Sequence, residues 1–257
     1  MKQVGIVLEL ITLGFLLFLS SNKFSFAGDS RNFDTFNKSY ANSYADSLNH
    51  ILHTFKKTSS LLYTNDDQAF RVSRFSYHNE PVLYVEYSRS ALLGITEKRY
   101  YLKDKNLVLF TENSIVTNTN RPYISTKAYF KNNALFLSEQ RSAASRAGLT
   151  TARFQKTVLK NEGQFSDMAR FEDAIDQEGE FNLVFQGIAE YPKAKYIILG
   201  RDNYSAYRAP IRVKAEDEFI RELCTNIYQY HGSKLDINWK PNGADEVYYC
   251  SGKLSKH

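Results

Sequence analysis

The sequence predicts an α+β fold: an N-terminal amphipathic helix packed on an antiparallel β-meander of repeated hairpins, followed by a smaller disulfide-pinned α+β unit. Three observations carry this expectation. Apolar residues recur at helical spacing over residues 33–55. The pattern switches to period two between Phe70 and Glu139. The two cysteines of the 257-residue chain, Cys224 and Cys250, both fall near its end.

Residues 1–27 have the layout of a secretory signal peptide. A short basic start, "MKQ", precedes the apolar run "VGIVLELITLGFLLFLS", and Ser25 and Ala27 stand at −3 and −1 of a cut before Gly28. The run from Val4 to Leu19 contains Glu9 and is shorter than the roughly 20 apolar residues that span a bilayer. Cleavage is therefore expected, with no transmembrane anchor afterwards and a periplasmic location.

Residues 28–145 are expected to hold the helix and the meander. Phe36, Tyr40, Tyr44, Leu48, Ile51, Leu52 and Phe55 form one stripe, with Lys38, Asn42, Asp46, Asn49 and Lys56 opposite. Three strand–turn–strand phrases follow: "FRVSRFSY" with "VLYVEY", "KRYYL" with "LVLFTE", and "KAYF" with "ALFLSE". Laid over one another, they place Tyr77, Leu102 and Phe130 in one column and Leu83, Val108 and Leu135 in another. Glu112, Glu139 and Tyr87 close the units. A lone hairpin is marginal in water, so repetition is expected to build one continuous sheet.

"RSAASRAGLTTAR" (141–153), with three arginines, reads as a linker or short helix. Residues 146–190 form a connection, with a helix starting at Ser166, burying Phe165, Met168, Phe171 and Ile175, and stopping at Gly179. "FNLVFQGI" and "KYIILG" read as buried strands. Residues 191–257 are expected to be the small α+β unit. Glu216, Asp217 and Glu218 suit the start of a helix, and "IYQYHG", "KLDINW" and "EVYYC" read as strands. In an oxidising compartment, a Cys224–Cys250 bond would tie that helix to the last strand.

Catalytic and cofactor signals are sparse. There is no G-x-S-x-G elbow, no P-loop and no G-x-G-x-x-G, so no cofactor is expected. His50 and His53 lie three apart on the first helix, with Asp46 one turn earlier, but a structural zinc needs about four ligands, and no metal site is assigned. His78 and His231 fall in turns. Glu172, Asp173 and Asp176 are neighbours on one helix rather than carboxylates facing each other across a cleft.

Composition is ordinary for a globular protein, at 43% hydrophobic and 24% charged, and a net charge of +5 without a dense basic cluster does not suggest nucleic-acid binding. The charges segregate, however. An acidic run over 162–180 precedes a basic run over 193–214, and the two runs either pair with each other or form patches. Tyr191, Lys193, Lys195, Tyr196, Arg201, Tyr204, Tyr207 and Arg208 form a candidate interaction patch of tyrosines among cations.

The sequence therefore leads to an exported, non-enzymatic protein acting on another envelope protein. It would be an accessory of an assembly or secretion system, for example a type VI apparatus, or an inhibitor or immunity protein. The alternative is a hydrolase of peptidoglycan or another envelope glycan. A carrier of an apolar ligand is a third class.

Overall fold

The computed structural model describes residues 37–159, 165, 168–201 and 206–253. The expected signal peptide, Phe36, Ser166 and Tyr204 lie outside the described residues. Strands dominate, in two sheets, and helices are short. This overturns the expected α+β class: the fold is mostly β. Helices were expected to be longer than they are, and strands shorter.

The first helix, α1 (Lys38–Ile51), continues into a single 3₁₀ turn, Leu52–Thr54, and ends where Phe55 is extended. Its buried residues are Ala41, Ala45 and Leu48, flanked by Tyr40 and Tyr44. The small alanines let the helix approach the sheet closely. The Tyr44 hydroxyl donates to the Leu102 carbonyl at 2.5 Å, and Asn49 and Asn42 donate to the hydroxyls of Tyr101 and Tyr129 at 3.1 and 3.2 Å.

Eight strands follow: β1 (Lys56–Ser59), β2 (Tyr63–Asn65), β3 (Gln68–Tyr77), β4 (Glu80–Ser90), β5 (Gly94–Lys103), β6 (Asn106–Ile115), β7 (Tyr123–Lys131) and β8 (Ala134–Ala143). With β9 (Gln155–Lys156) they make a nine-stranded antiparallel sheet, β1-β3-β4-β5-β6-β7-β8-β9, in which β2 also pairs with β3. Between β8 and β9 lies α2 (Arg146–Thr151), capped by the Ser145 hydroxyl, which accepts from Gly148 N.

The three hairpins are copies of one design. His78-Asn79, Asp104-Lys105 and Asn132-Asn133 form two-residue turns, every one at positive φ, the geometry that matches strand twist. Two residues before each turn the register shifts, and Val82, Val108 and Phe136 become bulged residues. The true columns are therefore Phe75/Tyr101/Tyr129 opposite Leu83/Leu109/Leu137. The sequence superposition had slipped by one residue in places, because it read turns of three and four residues where each turn is two residues long. The bulge at Val108 brings Leu107 to the face opposite α1, where it joins Leu102 and Phe130 in the main core.

Helix α3 (Met168–Asp176) crosses that core face. Tyr84 and Tyr100 pack on Phe171, and Phe165 meets Phe110 and Phe130 edge-on at 5.0 Å. A 3₁₀ turn, Gly179–Phe181, leads into the second sheet, made of β10 (Val184–Tyr191), β11 (Ala194–Gly200), β12 (Ala209–Val213), β13 (Asp236–Asn242) and β14 (Glu246–Lys253). Its order is β10-β11-β12-β14-β13, with β12 and β14 parallel. Helix α4 (Glu218–Thr225), capped by Asp217, buries Phe219, Ile220 and Leu223 beneath it. The segment "IYQYHG", expected as a strand, forms α5 (Ile227–Tyr230) and a turn.

The sheets share one core, and the backbones of Thr64 and Arg208 join them through paired hydrogen bonds of 2.7 and 2.8 Å. Tyr63, Phe70, Phe181 and Tyr207 cluster at this junction, and the Arg170 guanidinium lies over three of the four rings.

The expected disulfide does not form: both cysteines are free. A bulge between Asn238 and Trp239 leaves Cys250 without a cross-strand partner and exposed. The ring of Phe219 instead meets Tyr249 and Gly252. Cys224 Sγ lies 3.7 Å from Lys195 Nζ, and Cys250 Sγ lies 3.8 Å from the Tyr248 carbonyl.

Candidate functional site

Strand alternation divides the second sheet into an inner face and an outer one. Ile197, Leu199, Ala209, Ile211 and Val213 point into the core, whereas Ala194, Tyr196, Ile198, Pro210 and Arg212 alternate with them on the outside. "KYIILG" is thus half-buried rather than buried throughout. Tyr191 pairs with Ala194 across β10–β11 and meets Tyr196 edge-on at 6.0 Å. These residues floor an open groove of about 800 Å³, walled by Thr64 of β2, by Leu62 just before it and by Val247 of β14.

The charges at its edges are unequal. Arg212 is held by Glu246 at 2.9 Å, and Arg89 by Asp245 at 3.2 Å. Hydrogen bonds from Tyr248, Arg212 and Asn242 keep the Glu246 carboxyl below its ordinary value. Lys214 lies 3.7 Å from the centre of the Tyr248 ring, while Lys193 and Lys240 are exposed. Neither has an ion-pair partner among the described residues. The groove is therefore aromatic and apolar in the middle, with the ion-paired Arg89, Asp245 and Glu246 in its lining and Lys193 in the turn beside Tyr191.

Only part of the expected patch lies here. Tyr191 and Tyr196 line the groove, and Lys193 stands at its end. Lys195 points the other way, toward α4, and pairs with Glu190 and Glu216, which raise its pKa. Tyr207 belongs to the junction core, Arg208 serves the backbone bridge, and Arg201 is exposed at the end of β11. Among the described residues, the acidic and basic runs form no ion pair with each other. Arg170 pairs with Glu180, and Arg74 with Glu172, which also accepts from the Tyr84 hydroxyl. Glu172 is thereby committed to holding α3 on the sheet.

Ile198, Pro210 and Leu62 were not singled out from the sequence. The alternation of Ile197 and Leu199 with Tyr196 and Ile198 carried the signal, but an all-apolar run hides which residues face out. The strand β12 was hidden by the two arginines and the proline around it.

A second concavity was also missed. Correct registration aligns Glu86, Lys98, Glu112, Thr126 and Gln140 in one cross-strand row on the core face of the first sheet. Lys98 lies 3.4 Å from Glu86, and Ser114 donates to Glu112 at 3.0 Å. Glu86, Lys98 and Glu112 line a cavity of about 370 Å³ with Ser88, Thr96 and Phe70. His50, His53, His78 and His231 are exposed and dispersed, and no group of three or more metal-ligating side chains occurs among the described residues. No helix among them is long and apolar enough to cross a membrane. In comparisons with known proteins, no family model, curated protein or solved structure matches this chain.

Proposed function

We propose that this is an exported, non-enzymatic protein that binds another protein of the cell envelope through the outer face of its second sheet. The uncovered groove over Tyr191, Tyr196, Ile198 and Pro210 carries the reading. Aromatic side chains supply large contact area at low conformational cost, which interfaces favour. The charges in its lining are paired, Arg89 with Asp245 and Glu246 with Arg212, which suits a partner surface with an apolar, aromatic-matching centre. An assembly accessory and an inhibitor would both use such a face, and the leader-like residues 1–27 supply the route to the envelope.

The Glu86–Lys98–Glu112 row supports the second reading, an envelope-polymer hydrolase, because two carboxylates separated by one strand flank a cavity. Affinity capture from solubilised envelope separates the readings. The binding account expects one saturable protein partner, lost in Ile198→Glu and retained in Glu112→Gln. No partner, together with peptidoglycan turnover abolished by Glu112→Gln, would replace the binding account with the hydrolase.

A further inference from the structure

The arginine-rich segment after β8 is used neither by the groove nor by the carboxylate row. Arg141 and Arg153 of this run and Arg121 of the β6–β7 connection line a separate pocket of about 270 Å³ together with Gln140, Ser142 and Gln155. No carboxylate lines it. Arg121 donates to the Ser142 carbonyl, and Arg141 to the carbonyls of Thr150 and Ala152 at 3.3 and 3.4 Å. These bonds orient the guanidinium groups without neutralising them.

Two further features separate this pocket from an ordinary solvated basic surface. The Arg141 guanidinium lies 4.5 Å from the centre of the Phe154 ring, and its Nε is buried without a hydrogen-bond partner. Arg153 has no hydrogen bond or ion pair among the described residues. The nearest carboxylate along β8, Glu139, is occupied by Lys38 at 2.6 Å and by the Tyr129 hydroxyl at 2.8 Å. Three guanidinium groups, with no carboxylate in the lining, therefore border a space large enough to admit a small oxyanion.

We propose that this pocket binds a phosphate group. Guanidinium forks match the paired oxygens of phosphate, and charge-assisted bonds of this kind are the stronger ones. The group would arrive either as a free phosphorylated small molecule or as the headgroup of an anionic lipid. The two sources share the recognition chemistry, and the experiment distinguishes them.

The test uses the full chain at low ionic strength, with inorganic phosphate and glycerol 3-phosphate followed by calorimetry. Vesicles of phosphatidylglycerol and of phosphatidylcholine are followed by co-sedimentation. The proposal expects one saturable site for the small phosphates, or selective retention by phosphatidylglycerol vesicles when the lipid is the source. Arg121→Gln with Arg153→Gln should weaken binding about tenfold or more, since each removed guanidinium costs a charge-assisted bond. Arg141 is left in place because it holds the α2–β9 connection, and Arg201→Gln serves as a basic control that leaves binding unchanged. Circular dichroism of the double variant should match the parent. Absence of saturable binding to every probe, or binding that survives the double substitution, would overturn the proposal.

Discussion

Tyrosine plays three roles in this protein, set by where its hydroxyl finds a partner. Tyr63 is fully buried, and its hydroxyl donates to the Ala174 carbonyl at 2.7 Å, tying the sheet junction to α3. Tyr129 donates to the buried Glu139, and Tyr249 to the cap residue Asp217. Tyr191 and Tyr196 instead leave their rings to solvent. Burial, as the largest cause, raises the phenol pKa of Tyr44, Tyr63, Tyr84, Tyr129 and Tyr249 above the ordinary 10.0. The unfolded chain sheds these protons near pH 10 while the folded chain keeps them. Their contribution to stability is therefore complete below that pH and declines as pH rises beyond it. In an alkaline titration, tyrosinate absorbance from these five phenols should appear together with loss of the circular dichroism of the fold. Full ionisation near the ordinary value with the fold intact would contradict their burial.

The hairpin is the repeating element, and its turn and bulge decide what each face shows. Asn133 sits at φ 62°, and its side chain accepts from Leu107 N at 2.8 Å, linking the third hairpin to the second. Asn133→Ala should cost about 2 kcal/mol, from the left-handed backbone and the lost hydrogen bond together. Asn133→Gly should cost less than about 1 kcal/mol, because glycine accepts that backbone freely. Urea unfolding of the two variants measures the difference, and equal costs would mean the turn is not under conformational constraint.

These same elements show what the sequence could reveal. The hairpins, their turns and the α1 stripe were legible, because apolar periodicity and turn residues are local signals. The far ends of β4 to β8 were not, since Ser88, Thr96, Ser114 and Thr126 make the core face polar there and erase the alternation. Registration was lost because the turn residues alone do not mark where each two-residue turn begins and ends, and with it went the Glu86–Glu112 equivalence; the bulges at Val82, Val108 and Phe136 escaped the period of two as well. The cysteine pair failed for a similar reason: a bulge near the end of β14 exposes Cys250.

At the scale of the whole molecule, the two sheets differ in how their faces are used. The first sheet is covered by α1 on one face and, over its apolar half, by α3 on the other. The second is covered by α4 on its inner face, while the groove leaves the outer face open. On the proposed reading, the shared core presents this one uncovered aromatic and apolar face to a partner. Site-specific photocrosslinking in intact cells tests that claim most directly. A photoreactive residue at position 196 should yield one discrete protein adduct, while the same residue at the exposed position 228, on α5, should yield none. Equal labelling at both positions, or an adduct only at position 228, would contradict the account.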